Sequence, residues 1–250
     1  MAEAEAIPSR AATRDQAAPP SATIWAVLRV GVAVLGAAAV IAHFDSSVSA
    51  AVELKRDIGT TIGNFFSYFT ILSNSAAAVF LIWAGLRHLL QGRRIREDPP
   101  ALAIGLACVT SCTLITGAVY NTLLRHLPLP QGTEPPDWSN EVLHLVVPLF
   151  LFADLLLGPR RRALPWRSLW VVVGFPLVWA IYTMVRGPLV TNPESGAPYW
   201  YPYPFLDPHD PGLAPIAGYP GVMIHVIGIA VAMIAVSALV IWWGRRAPGL

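Results

Sequence analysis

The sequence predicts an all-α polytopic membrane protein, a bundle of six transmembrane helices with both termini cytoplasmic. Three observations predict it. The 250 residues are 55% hydrophobic and only 13% charged, with a mean hydropathy of +0.54, which is too apolar for a soluble domain. The apolar residues fall into six runs, each near the ~20 residues that cross a hydrocarbon core of roughly 30 Å. Finally, the arginines crowd into alternate connections between those runs.

Residues 1–22 are rich in Ala and Pro, mix both charges and lack an apolar core, so they are expected to form a disordered tail. They carry neither the basic start nor the cleavage pattern of a signal peptide, so the first run, 23–43, is expected to remain as a helix. The second run, 64–86, reads NFFSYFTILSNSAAAVFLIWAGL. Read as one helix, it sets Ser67, Thr70 and Asn74 at i, i+3 and i+7, continued by Ala77 and Ala78. Such a seam of small and polar groups has to face protein or a wet cavity. The third run, 101–124, holds both cysteines, Cys108 and Cys112, one turn apart. That spacing suits a disulfide poorly, and no second pair completes a metal site, so both are read as packing residues.

The fourth run, 140–157, contains His144 and, four residues on, Pro148. Proline has no N–H for the carbonyl at i−4, so the His144 carbonyl leaves the helical ladder and the helix is expected to kink. Asn140 and Glu141 lie within a turn of His144, where either can orient the imidazole. The fifth run is 169–185 and the sixth 220–243, followed by a short tail, 244–250. Between them lies a connection dense in proline and aromatic residues, including Tyr199, Trp200, Tyr201 and Tyr203. It reads as a stiff cover at the membrane interface or a lid over a site.

Twelve arginines flank one side, in the two tails, the second-to-third connection and the fourth-to-fifth connection. The other side has four basic residues, Lys55, Arg56, Arg125 and Arg186, which makes the first side cytoplasmic. Depth then follows from counting along each run. Thr70, His144 and His225 all fall within about 6 to 9 Å of the outer boundary at 1.5 Å per residue. Tyr120, Asn121, Tyr182 and Thr183 join them from the odd-numbered runs. Near the inner face, Arg29 and Asp154 are placed to neutralise one another as a structural clasp.

A hydroxyl beside an imidazole suits nucleophilic chemistry, because an alcohol at neutral pH needs a base within hydrogen-bond reach and donors for the oxyanion it creates. Thr70 and His144 supply nucleophile and base. Asn74 is a candidate donor, and a histidine at membrane depth such as His225 is a functional candidate in its own right.

Short motifs add a resemblance. YFTILSN in the second run, NEVLHLVVPLFLFADLLL in the fourth and YPFLD in the last connection resemble the androgen-induced-gene family of multi-span proteins and its bacterial six-helix relatives. The resemblance extends over about Leu28 to Trp243. It implies a membrane threonine hydrolase of fatty acid esters of hydroxy fatty acids, with Thr70 of YFT as the nucleophile and His144 of NEVLH as the base. It also implies a bacterial cytoplasmic membrane. The polar tail and the proline-rich connection are more elaborate than in the animal members, and the connection is placed to cover the mouth of a site.

The expected function is therefore hydrolysis of a fatty acyl ester, with a membrane lipid as substrate, the bilayer as partner and no nucleic acid. That chemistry requires neither metal nor organic cofactor. Two rival readings stand beside it. His144 and His225, with His43 or His126, suit axial ligation of a haem in a redox protein, and six spans broken at Pro148 and Pro176 suit a small transporter or a non-catalytic scaffold.

Overall fold

The structure, a computed structural model, describes residues 20–91, 97–128, 133–159 and 162–246. Among them the regular elements are helical: α1 (Pro20–Glu53), α2 (Ile58–Phe65), α3 (Phe69–Gln91), α4 (Pro100–Val119), α5 (Asp137–Glu141), α6 (Val147–Leu157), α7 (Ser168–Arg186) and α8 (Gly218–Arg246). Two stretches are wound more widely, as π turns: Tyr120–Leu124 continues α4, and Val142–Val146 joins α5 to α6. With those joins counted, six helices among the described residues are long and apolar enough to cross a membrane, which makes the chain a multi-pass membrane protein.

The ends depart from the expected bounds in instructive ways. Most of the expected disordered tail, 1–19, lies outside the described residues, and Pro20, Ser21 and Ala22 already belong to α1. α1 continues ten residues past the expected end, to Glu53, with the Ser47 hydroxyl bonding back to the His43 carbonyl at 2.9 Å. At 1.5 Å per residue it is roughly 50 Å long, so it projects well beyond a hydrocarbon core. α8 likewise runs on to Arg246, three residues into the expected tail.

The larger correction concerns the second run. It is not one helix from 64: α2 ends at Phe65, the chain turns through 66–68, and α3 begins at Phe69. Asp57 starts α2 by accepting the Thr60 N–H at 2.6 Å. The turn is held from outside. Trp179 of α7 donates its indole N–H to the Ser67 carbonyl at 2.9 Å, and the Ser67 hydroxyl meets the Tyr182 hydroxyl at 3.1 Å. Ser67 therefore does not share a helix face with Thr70 and Asn74, and Thr70 is the second residue of its helix.

Lipid offers no hydrophobic force between helices, so close backbone approach and polar contacts do the joining. α1 packs along α3 through Ala26, Ala33 and Ala39, all fully buried, against Ala77, Ala84 and Gly85. Gly85 is required there. A Cβ on it would lie 2.6 Å from the Val30 side chain and 2.8 Å from the Ala26 carbonyl. α4 occupies the middle of the bundle, touching α3, α6, α7 and α8.

At the end of the bundle remote from Thr70, the expected clasp is present. Arg29 donates from Nε to Asp154 Oδ1 at 2.8 Å and from its second nitrogen to Oδ2 at 3.1 Å, and Trp25 donates to the same carboxylate. Both charged residues are buried, at 4% and 6% exposure. Breaking such a pair strands one charge in a low-dielectric site, so Arg29→Met alone is expected to cost about 3 to 5 kcal/mol. Adding Asp154→Leu should recover most of that loss. Thermal unfolding of the purified protein in detergent measures both, and a double variant no more stable than the single one would rule out the ion pair as the cause.

Candidate active site

Thr70 and His144 meet. Thr70 Oγ1 lies 3.2 Å from His144 Nε2, and each residue is 7% exposed. The other ring nitrogen, Nδ1, is 3.0 Å from the Asn140 carbonyl oxygen. A carbonyl only accepts, so Nδ1 carries the proton, Nε2 presents its lone pair, and the Thr70 hydroxyl donates to it. This is the tautomer that a general base for a hydroxyl requires.

Each partner owes its position to an interruption of regular helix. Thr70 sits in the first turn of α3 because the chain breaks at 66–68. His144 sits in the π turn ahead of Pro148. Pro148 leaves the His144 carbonyl without its helical donor, as expected, and Asn121 Nδ2 supplies one at 3.2 Å while also donating to Gly117 at 2.8 Å. Gly117 allows this approach: a Cβ there would stand 2.9 Å from the His144 carbonyl oxygen and 3.2 Å from Pro148. Asn74, 1% exposed, ties the two partners' backbones together by donating to the Thr70 carbonyl at 2.9 Å and the Leu143 carbonyl at 3.2 Å.

Other expected participants divide. Asn140 orients His144 through its main-chain carbonyl, and its side chain bonds the Tyr120 hydroxyl. Glu141 does not orient the imidazole; it forms a two-pronged pair with Arg125 at 2.8 and 2.9 Å, which draws its carboxylate away from the ring. Asn74 donates to carbonyls and holds backbone rather than reaching toward the Thr70 hydroxyl. His225 stands apart, its Nδ1 satisfied by the Gly221 carbonyl at 3.0 Å one turn earlier in α8.

Two tyrosines complete the site. Tyr120 stacks on His144 with ring centroids 3.9 Å apart. Tyr203, from the proline-rich connection, places its hydroxyl 3.3 Å from both the Thr70 N–H nitrogen and Thr70 Oγ1. Sequence reading treats Tyr203 only as an interfacial aromatic; its membership of the YPFLD motif is the signal that bears on it. The connection does cover Thr70.

A cavity of about 60 Å³ lies at the other end of the bundle, lined by Arg29, Asp98, Asp154 and Arg162 over an apolar floor. Arg29 is held by Asp154, and Arg162 by Glu97 and the Asp98 carbonyl. The paired charges there suit a clasp rather than a reaction centre. No family model matches the chain, and no curated protein or solved structure matches it.

Asn74→Leu keeps the volume and removes both donations, leaving the Leu143 carbonyl short of a partner while the Thr70 carbonyl keeps the Ser73 hydroxyl. The expected cost is about 1 to 3 kcal/mol, read as a lower unfolding temperature in detergent. An unchanged temperature would show that Asn74 does not join α3 to the π turn energetically.

Proposed function

We propose that the chain is an integral membrane hydrolase that cleaves a fatty acyl ester, with Thr70 as nucleophile and His144 as base. The observation that carries this reading is the chain of three groups: Thr70 Oγ1 at 3.2 Å from His144 Nε2, and His144 Nδ1 at 3.0 Å from the Asn140 carbonyl. A buried threonine bonded to an imidazole of fixed tautomer is an alcohol with a base already aligned.

In the first step Thr70 Oγ1 attacks the ester carbonyl carbon while its proton passes to His144 Nε2. Collapse of the tetrahedral intermediate breaks the bond to the alcohol oxygen, which takes the proton from His144. Water then attacks the acyl-threonine, giving a proton to His144 and restoring the Thr70 hydroxyl as the fatty acid leaves. The Asn140 carbonyl keeps the imidazole oriented and stabilises the cation formed in each half.

The resemblance of YFTILSN, NEVLH and YPFLD to the androgen-induced-gene family supports the same assignment. These motifs contribute Thr70, His144 and Tyr203, which meet in space. The membrane helices make an acyl ester dissolved in the bilayer a fitting substrate class. In the arrangement we favour, both termini are cytoplasmic and the pair lies near the opposite face, in keeping with the arginine bias. The geometry favours this reading over haem ligation, since His144 Nε2, the nitrogen left to bind an iron, faces the Thr70 hydroxyl at 3.2 Å.

Labelling of membranes with a fluorophosphonate probe tests the proposal. Wild type should label, Thr70→Ala and His144→Ala should not, and Thr70→Ser should retain labelling because it keeps the hydroxyl. Equal labelling of all variants, or none of a well-folded wild type, would sink the hydrolase reading.

A further inference from the structure

The mechanism above leaves the oxyanion without a donor, and the hydrogen bonds around Thr70 identify one. The Thr70 O–H is committed to His144 Nε2. Its remaining lone pairs face the Tyr203 hydroxyl at 3.3 Å, which can only donate to them, since the single Thr70 proton is spent. The Tyr203 oxygen in turn accepts the Thr70 backbone N–H at 3.3 Å. That N–H is open to an outside partner because Thr70 lies in the first turn of α3, where no carbonyl four residues back belongs to the helix.

We propose, resting on the hydrolase reading, that the Tyr203 hydroxyl and the Thr70 backbone N–H together form the oxyanion hole, so that Tyr203 is a catalytic residue contributed by the last connection. The two donors stand 3.3 Å apart, and the Tyr203 hydroxyl is also 3.3 Å from the attacking Oγ1, so once they release each other a single oxygen beside Oγ1 can accept from both, where an ester carbonyl oxygen has to sit. As Oγ1 bonds to the carbonyl carbon, its proton passes to His144 Nε2 and the carbonyl π pair moves onto the carbonyl oxygen, which becomes the stronger acceptor. Tyr203 then turns its O–H from Oγ1 to the new oxyanion, while the Thr70 N–H exchanges the phenol oxygen for the same anion. The tyrosine proton is shared and never transferred. When the intermediate collapses, the pair returns to the carbonyl and the hydroxyl returns to its resting partner.

Three features fit Tyr203 for a fixed donor. Its ring is boxed by Phe205 (centroids 5.2 Å apart), Tyr68 (5.7 Å) and Trp179 (6.1 Å). The connection that carries it is anchored nearby: the Trp200 backbone N–H bonds the Gly187 carbonyl at 2.9 Å, and Arg186 lies over the Trp200 ring. Burial also holds the phenol above its ordinary pKa, which keeps the proton needed for donation. The α3 N-terminus adds the positive end of a long helix to the same spot.

The test uses the full chain in detergent with p-nitrophenyl butyrate and the matching thionoester, in which sulfur replaces the carbonyl oxygen and accepts hydrogen bonds poorly. Tyr203→Phe keeps the ring and its packing. On the oxygen ester its kcat should fall about 100-fold with KM changed by less than about threefold, and on the thionoester the loss should shrink below about fivefold. A Tyr203→Phe variant with kcat within about twofold of wild type would overturn the proposal and leave the Thr70–His144 reading intact. So would equal losses on the two esters, which mark a packing role. A wild type that, like Thr70→Ala, cleaves neither ester nor takes the probe removes the hydrolase reading and this proposal with it.

Discussion

A main-chain carbonyl or N–H at membrane depth has no water to turn to, so every break in a helix has to be mended by another part of the chain. This protein concentrates its breaks at one end and mends each from a neighbour. The Ser67 carbonyl, freed between α2 and α3, takes the Trp179 indole; the Thr70 N–H takes the Tyr203 hydroxyl; the His144 carbonyl, released by Pro148, takes Asn121; and the Leu143 carbonyl takes Asn74. The bonds that repair the backbone are also the bonds that assemble the site.

That economy explains why the candidate centre can be both buried and polar. A threonine in the middle of a transmembrane helix commonly spends its hydroxyl on the carbonyl a turn behind, as Thr113 and Thr116 do at 2.8 and 2.9 Å. Thr70, in its first helical turn, has no such helical carbonyl behind it and turns its hydroxyl to His144 instead. Likewise the π turn widens the helix at His144 and lets one ring nitrogen reach back to Asn140 while the other meets α3. Local irregularity, costly in lipid, is tolerated where the tertiary contacts repay it.

The two ends of the bundle divide the polar work. At one end Arg29 and Asp154 neutralise each other and lock α1 to α6, a contact whose charges are already satisfied. At the other, neutral hydrogen-bonding groups converge with a proton order that runs from Tyr203 through Thr70 and His144 to Asn140. The charged side chains nearest His144, Arg125 and Glu141, are paired with each other.

The sequence by itself determined the class of the protein, because length and hydropathy leave few ways to satisfy a backbone in lipid. It also brought Thr70 and His144 to one level of the bundle, where they meet, although the count treated 64–86 as one helix, and it gave the released carbonyl at His144, since Pro148 has no N–H. Arg29 and Asp154 were legible for the same reason: two opposite charges at matching depth seldom stay apart. What the sequence concealed were the choices made by contacts distant along the chain. No proline or glycine interrupts NFFSYFT; the break at 66–68 is held by Trp179 and Tyr182, more than a hundred residues away, together with the Ser67 hydroxyl on the Gly63 carbonyl, and it leaves the Thr70 N–H to Tyr203. The preference of Glu141 for Arg125 over His144, the isolation of His225 and the arrival of Tyr203 over Thr70 are of the same kind. Several partners lie within reach of each group, and only the packing of the whole bundle decides which one it takes.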